Sequence, residues 1–259
     1  DSVVFNYSGI DKANFGYGYI GNVNRIFGDD HPLGDLDSTS HFANASYKFT
    51  DALKLTGYGY IFDFDRLPTR SSQTYGLRAT GKTPINENWA FNYEAEIARQ
   101  SDYGNNSAHY DETYYHLAPS ITGHGFNFGV GYEVLGGDGT NAFQTPLATL
   151  HKFNGWADKF LDTPARGLED AYVSASYKIS DVHQALDGTT VTVVYHEFKG
   201  DQSGDFGSEL DASVGKSFEL PKELPFEKFN FLVKYADYDA EDAPYTDTQK
   251  IWLQIGVNF

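Results

Sequence analysis

Residues 250–259 read KIWLQIGVNF, and an apolar side chain occupies every second position of this stretch. Ile251, Leu253 and Ile255 alternate with a mixed set of neighbours that includes Trp252 and Gln254. Because successive side chains of a β-strand point to opposite faces, this alternation predicts a strand with one apolar and one polar face. About ten such residues can cross a bilayer as one strand of a barrel, with the apolar face toward lipid. They also fit a soluble β-sandwich, so the rest of the chain decides between the two.

The composition narrows the class of protein. The chain has 259 residues, with 19 Tyr and 20 Phe but only 3 Trp. No apolar run approaches the roughly 18 residues of a membrane-spanning helix, which excludes a helical membrane protein. Abundant aromatic residues without long apolar runs are typical of many short amphipathic strands. The absence of cysteine excludes disulfides and thiolate metal sites, and the formal net charge of -17 disfavours nucleic acid as a partner.

Alternating segments recur along the whole chain, and their second face carries small and charged residues together. In the stretch 126–134, for example, Phe128 and Val130 oppose Gly129 and Glu133. A packed protein core would not accept such charges unpaired, whereas a water-filled lumen does. The pattern therefore predicts an all-β fold, a single transmembrane antiparallel up-and-down β-barrel domain over 1–259. The predicted strands are 2–8, 14–24, 41–50, 53–64, 71–82, 88–100, 111–122, 125–135, 168–179, 188–199, 207–219, 227–238 and 248–259.

Short and long connections alternate between these segments. The short ones include 50–52 and 122–125, and the long ones include 24–40 and 136–167. Short periplasmic turns and longer outer loops are the pattern of an outer-membrane barrel. An odd number of strands would start the chain at the outer side, whereas bacterial single-chain barrels have an even number. We therefore expect further strands before Asp1, which also fits the lack of an initiator Met and of a signal peptide.

Three stretches are more specific than this periodicity: YIGNVNRIFGDDHPLGD (19–35), VVYHEFKGDQSGDFGSELD (193–211) and the long segment 132–174, which begins YEVLGGDGTN. They resemble the alginate-export family of outer-membrane porins, and the resemblance runs through the chain. It implies a channel, and a barrel of about 18 strands of which this chain is the C-terminal portion. The chain carries 36 acidic against 19 basic residues, which does not suit a polyanion. We therefore take over the fold and the channel role but not alginate as the solute.

The alternation places charges of both signs on the polar, inward face. Charges that face each other across a narrow pore set a field that selects ions. The alternative is that they only keep a wet lumen solvated. The candidate pore-lining residues are Lys48, Arg78, Glu94, Glu96, His116, Glu133, Asp170, Lys178, His196, Asp211 and Lys234.

The connection 136–167 is long for a passive loop. Its middle, PLATLHKFNGWADKFL (146–161), is too apolar to stay exposed to water. We expect it to fold into the mouth of the barrel as a short helical constriction, where basic and aromatic groups would suit a carboxylate or a sugar acid. The alternative is a lid on top of the barrel. The candidate contact residues of this loop are His151, Lys152, Trp156, Lys159 and Arg166.

These features predict a porin of the Gram-negative outer membrane that passes small hydrophilic solutes without chemistry. Sugar acids or oligosaccharides follow from the resemblance, while the excess of acidic residues favours cations. We expect no enzyme, since the sequence contains no G-x-S-x-G, H-E-x-x-H or P-loop motif. The alternatives are a wall-mounted Ser–His hydrolase that uses His116 or His196, and a closed structural or adhesive barrel.

The remaining expectations concern cofactors and partners. No cofactor or metal is expected, although the acidic stretches 28–37, 63–66 and 237–247 offer oxygen ligands for Ca²⁺. Solvated loops, with divalent cations bridging to lipopolysaccharide, are the favoured interpretation of these stretches. Outer-membrane lipid would surround the strands. A final strand that ends in Phe259 resembles the signal that the bacterial barrel-assembly machinery reads.

Overall fold

The computed structural model describes residues 1–25, 28, 30–32, 34–148, 153–221, 223 and 225–258. Of the residues singled out above, His151, Lys152 and Phe259 lie outside this described part. Nearly all of the regular structure is β-strand, with a short 3-10 helix over Pro68–Arg70 in the connection after the fourth strand. The strands are β1 Ser2–Tyr7, β2 Ala13–Asn24, β3 Asp35–Thr50, β4 Leu53–Phe62, β5 Ser72–Pro84, β6 Trp89–Asp102, β7 Asp111–Gly123, β8 Phe126–Leu135, β9 Leu168–Lys178, β10 Thr190–Lys199, β11 Asp205–Glu219, β12 Lys228–Asp239 and β13 Thr248–Asn258.

These strands form one 13-stranded sheet in which each strand pairs with its neighbours in chain order. Every pairing is antiparallel. The prediction of an all-β, up-and-down arrangement is therefore confirmed. Within the described residues, no helix is long and apolar enough to cross a membrane.

The main difference in strand boundaries is at β3, which begins at Asp35 rather than near 41. Leu36, Ser38 and Ser40 are buried on one side of this extension, and Ser38 forms a β-bridge with Phe64. The buried positions are mostly small and polar, so the extension shows no apolar period. Strand prediction from alternation could not detect it.

The two faces of the sheet differ in the way that the sequence predicts. On the outer face of β13, Ile251, Leu253 and Ile255 are 71%, 73% and 70% exposed. A continuous apolar surface of this kind is not stable in water and fits the hydrocarbon of a bilayer. The same face carries further exposed apolar side chains on the other strands, among them Tyr75, Leu77, Ile97, Tyr115, Leu117, Val130, Val173, Tyr195 and Leu210.

The apolar core lies on the other, inner face, where the loop 136–167 folds against the sheet. The Phe160 ring packs against those of Phe198, Phe206 and Tyr238, with ring centroids 4.7, 5.8 and 6.1 Å apart. Earlier in the loop, Phe143 packs against Tyr114 of β7 at 5.4 Å. The loop therefore fills part of the space that the curved sheet encloses.

The expectation of a helix in this loop is wrong for the residues that the structure describes, 136–148 and 153–167, which form turns and extended backbone. Leu147, Asn154, Gly155 and Asp158 have positive φ, and Pro146 follows an extended segment. Neither feature is compatible with a continuous helix. Some of the loop N–H groups, those of Gln144, Trp156 and Ala157, donate to side chains of the barrel wall instead.

Candidate functional site

The strand registers place the predicted pore-lining residues on one face of the sheet, the inner face. A row of directly paired residues crosses β5 to β9 there, and we call it the belt. Its members are Arg78, Glu96, His116, Glu133 and Asp170. Cross-strand neighbours share a face, so the alternation in each strand brings these ionisable groups together. Their role in conduction stays a prediction.

The β5–β7 part of the belt is a hydrogen-bonded ion-pair cluster. The Arg78 guanidinium contacts Glu94 and lies 3.6 Å (Nε to Oε2) from Glu96. The Tyr58 hydroxyl donates to Glu96 from β4. The His116 ring lies 3.6 Å (Nδ1 to Oε1) from Glu94. Because one guanidinium bridges two carboxylates, the cluster holds its charges close together on the wall.

The β8–β9 part of the belt is covered by the loop. Glu133 accepts hydrogen bonds from the Tyr114 hydroxyl at 2.7 Å and from the Asn154 amide at 2.7 Å. Asp170 contacts the same Asn154 amide at 3.3 Å and the His196 ring (Nδ1 to Oδ1) at 2.8 Å. Buried carboxylates require partners of this kind. Asn154 therefore ties the loop to the wall through polar contacts.

A second anchor of the loop lies on β11, and sequence reasoning found only part of it. The buried Glu209 carboxylate accepts the backbone N–H groups of Trp156 and Ala157, the latter at 2.7 Å. Asp211, which was predicted, accepts the Trp156 N–H at 3.2 Å. The Lys234 ammonium lies 3.9 Å from the Trp156 ring centroid, within cation–π range. These contacts hold the loop turn against the sheet.

The two basic loop residues in the described part, Lys159 and Arg166, both contact the connection between β12 and β13. Lys159 donates to the Thr246 carbonyl at 2.9 Å and the Thr248 hydroxyl at 2.8 Å. Arg166 lies 3.6 Å (Nη1 to Oδ2) from Asp242. Both cations therefore bind outer connections and strand ends of the wall. A basic cluster that includes His151 and Lys152 stays a prediction, since those two residues lie outside the described part.

Lys48 and Lys178 lie far from the belt, at the short-turn end of the sheet. Lys48 forms an ion pair of 2.6 Å with Asp51 in the β3–β4 turn. The hydrogen bond from Lys48, with its charge, holds the pKa of Asp51 below the ordinary value. Lys178 is the last residue of β9 and is exposed. These two lysines mark the opposite mouth rather than the narrow region.

A cavity of about 570 Å³ remains between the loop and the β2–β8 part of the inner face. This is within the range of small-molecule sites, roughly 300–1,000 Å³. Aromatic side chains of β3 and β4 form one wall, and the belt forms another. The lining residues are Ile20, Phe42, Tyr58, Tyr60, Phe62, Thr74, Arg78, Glu94, Glu96, Gln100, Tyr114, His116, Glu133, Leu135, Phe143, Gln144, Thr145, Pro146, Leu147, Ala148, Phe153 and Asn154.

The described polar contacts of the two predicted inner-face histidines are with carboxylates and a tyrosine. His116 contacts Glu94 and the Tyr172 hydroxyl, while His196 contacts Asp170 and, at 3.8 Å, Asp211. No described serine or threonine hydroxyl is hydrogen-bonded to either ring. Across the part of the chain that the structure describes, no group of three or more His, Asp or Glu side chains could hold a metal ion.

Comparison with known proteins gives the fold. No family model and no curated protein matches the chain. Among solved structures it is similar to the outer membrane protein OprD from Pseudomonas aeruginosa (16% identity, TM-score 0.69, 98% of this chain and 66% of that chain). It is also similar to OccK9 (OpdG) from Pseudomonas aeruginosa (14%, 0.72, 97% and 64%) and to OpdQ from Pseudomonas aeruginosa (18%, 0.71, 98% and 69%).

The chain spans about two thirds of the length of these barrels. At such low identity the likeness shows the fold alone. It is a likeness to the fold of outer-membrane porin barrels and gives no support to the alginate-export family in particular. The fold of this chain is that of the OprD-like outer-membrane porin barrels.

Proposed function

We propose that this chain forms most of the wall of a porin in the Gram-negative outer membrane, through which small hydrophilic solutes diffuse passively. The observation that supports this proposal most strongly is the contrast between the two faces of one sheet. The outer face is apolar and exposed, while the inner face carries the belt beside a cavity of about 570 Å³. Outward apolar and inward polar residues are the arrangement of a water-filled transmembrane barrel.

The loop 136–167 acts as the constriction. Its segment from Trp156 to Phe160 lies against β10 to β13, where the Phe160 and Lys159 contacts hold it. Its earlier segment, Phe143 to Ala148, borders the cavity. A solute therefore passes on the β2–β8 side, between this segment and the belt. Selectivity resides where the charges and the narrow passage coincide.

The charges on this wall favour cations over anions. The inner-face acids Glu94, Glu96 and Glu133 border the cavity beside a single described guanidinium, that of Arg78. Carboxylates that line a passage attract cations and repel anions at short range. A relation to the alginate-export family rests on the three stretches of sequence alone. If it holds, it extends to the barrel and not to a polyanionic solute.

The surroundings of the barrel follow from its surface. Outer-membrane lipid contacts the apolar outer face, and the acidic stretches 63–66 and 237–247 bind divalent cations that bridge to lipopolysaccharide. We propose no enzymatic role, since no observation favours the hydrolase over the channel. A closed structural barrel is the other alternative, and a conductance measurement separates it from a porin.

The test is a recording of single-channel current and reversal potential of the full-length protein in a planar bilayer under a KCl gradient. We expect discrete conductance steps and a reversal potential of the sign for cation preference. The double variant Glu94→Gln, Glu96→Gln should shift the reversal potential toward zero. Glu87→Gln, in the exposed β5–β6 turn, is the matched control and should not. An absence of conductance would contradict the porin, and anion preference would contradict the charge argument.

A further inference from the structure

A row of aromatic rings runs along β4 and just beyond its end on the inner face, and we call it the aromatic band. It consists of Tyr58, Tyr60, Phe62 and Phe64. Tyr58 and Tyr60 are stacked at 4.8 Å, Tyr60 and Phe62 lie 6.2 Å apart, and Phe62 and Phe64 are stacked at 6.0 Å. At about 3.3 Å per residue, alternate positions of this length of strand span about 20 Å. The band therefore forms a continuous strip along the solute path.

The two ends of the aromatic band pack into the protein interior, whereas its middle residues face the cavity. Tyr58 packs against the hydrophobic cluster around the loop, and Phe64 is only 2% exposed. Tyr60 and Phe62 instead line the cavity and are half-buried, with Phe42 beside Tyr60 as its cross-strand partner. Half-exposed rings in a wet lumen leave apolar surface in contact with water. A solute that covers these rings gains the free energy of removing that surface from water.

Small residues in the neighbouring strands keep the rings close to the wall. Gly76 of β5 lies opposite Tyr58, and Gly18 of β2 lies opposite Phe42. A Cβ atom at either glycine would collide with the facing ring. The Tyr58 and Phe42 rings therefore lie close to the glycine backbone, and Tyr60 and Phe62 stay half-buried beside the cavity.

The belt faces the same cavity with hydrogen-bonding groups whose charges are already paired. The Arg78 side chain is 45% exposed and that of Glu94 is 27% exposed, so both present polar atoms to the cavity. Arg78 contacts Glu94 and Glu96 together, and His116 lies beside Glu94. The wall thus offers donors and acceptors side by side with only a small excess of negative charge.

This combination identifies the chemical class of solute. A pyranose ring has apolar C–H faces, which suit the negative face of an aromatic ring, and a rim of hydroxyls that both donate and accept. A uronate would be repelled by the excess of carboxylates, and a compact organic cation, although attracted by them, has no rim of hydroxyls to accept from Arg78. A neutral sugar needs neither countercharge.

We propose that the aromatic band and the Arg78–Glu94 pair form a binding site for the neutral pyranose rings of a transported sugar. The apolar C–H faces of the sugar pack against the exposed surface of Tyr60 and Phe62, and the sugar hydroxyls bond to Arg78 and Glu94. This deepens the proposed function and rests on it. The sugar makes and breaks no covalent bond at the site.

The test uses maltose as the probe and the single-channel current of the full-length protein as the readout. Maltose should interrupt the current in a saturable way. Tyr60→Ala should raise its apparent Kd about three- to tenfold, the value of one aromatic contact. Tyr60→Phe keeps the ring and should bind as the wild type does. Tyr75→Ala is the matched control, because Tyr75 lies on the neighbouring strand but on the outer face.

Each other outcome overturns the inference. If sodium glucuronate or choline chloride blocks the current more strongly than maltose and responds more to Tyr60→Ala, the site takes a charged solute. An unchanged maltose Kd in Tyr60→Ala would remove the aromatic band from the site. Current without any maltose block would contradict this inference alone, whereas no current at all would contradict the proposed function. Tyr60→Phe guards against a folding defect, because it alters the fewest contacts.

Discussion

The substitution Phe160→Ala tests the seating of the loop on the inner face. The Phe160 ring is 8% exposed and packs against the rings of Phe198, Phe206 and Tyr245 at 4.7, 5.8 and 5.2 Å. Truncation of a buried Phe to Ala costs about 3–5 kcal/mol, because apolar contacts are lost and a cavity is left. The strands that Phe160 contacts are stabilised by their own backbone hydrogen bonds. The lost free energy therefore destabilises the docking of the loop rather than the strands.

The expected change in the population of the undocked loop follows from this free energy. Each ~1.4 kcal/mol changes an equilibrium tenfold, so the undocked loop becomes roughly a hundred- to several-thousand-fold more populated. Amide hydrogen exchange of the full-length protein in nanodiscs measures this population. Residues 153–167 should lose protection by that factor, while the amides of β6 to β12 keep theirs.

The matched control is Leu161→Ala, because Leu161 is the next residue and is 47% exposed. An exposed substitution of this kind changes stability by about 0.5 kcal/mol or less. Equal loss of loop protection in the two variants would refute the claim that Phe160 seats the loop. Loss of protection spread over the strands as well would show that loop and wall unfold together.

Three further predictions concern the loop and the two faces. Gly155→Ala should increase hydrogen exchange in the loop more than Gly139→Ala does. Both glycines have positive φ, but only at Gly155 would a Cβ come within 2.5 Å of a buried carboxylate oxygen. Equal effects of the two substitutions would contradict this reasoning. Two backbone N–H groups of its own turn donate to Asp138 at 2.7 and 2.6 Å and lower its pKa. The stabilisation of that turn is therefore present above about pH 4 and is lost as the pH falls through the lowered pKa of the folded state. The turn amides should then exchange faster, and Asp138→Asn should abolish this pH dependence. Leu253→Arg should destabilise the protein in lipid by up to about 2–4 kcal/mol, measured by urea unfolding from bilayers, whereas Gln254→Arg on the inner face should cost far less; similar costs would contradict the assignment of faces.

Much of the fold could be predicted because alternation is a local property of the chain. The strands and the facing of Arg78, Glu96 and Asp211 follow from period-two patterns that survive folding. The extension of β3 could not be predicted, since Ser38 and Ser40 fill its inner positions and give no apolar signal. A strand that is paired and covered on its polar side looks like a loop in the sequence.

The candidate site was less predictable because it depends on partners far apart in the chain. Glu209 accepts N–H groups from a loop more than fifty residues earlier, and nothing near it in the sequence indicates that partner. In GYGYIF (57–62) both faces are small or apolar, so alternation does not show which one is inward. The register of Tyr58 with Gly76, and of β5 with the belt, settles the orientation of the aromatic band.

The prediction of a helix in the loop was wrong in the described residues for a related reason. Apolar content predicted correctly that the segment around Phe160 needs a surface to pack on. Helix prediction assumes that the backbone bonds to itself, whereas Trp156 and Ala157 donate to Glu209 of the wall. With these two N–H groups satisfied by the barrel, the loop adopts turns at Asn154 and Asp158 that a helix excludes.

The most direct test of the account compares single-channel conductance of the full-length protein with that of a variant in which residues 140–163 are replaced by a short glycine linker. Retained β-sheet circular dichroism and gel migration that shifts on heating would establish that the variant still forms a barrel. If the loop narrows a water-filled passage beside the belt, conductance rises when it is removed. Unchanged conductance would contradict the constriction, and a folded barrel without current in either form would contradict the channel itself.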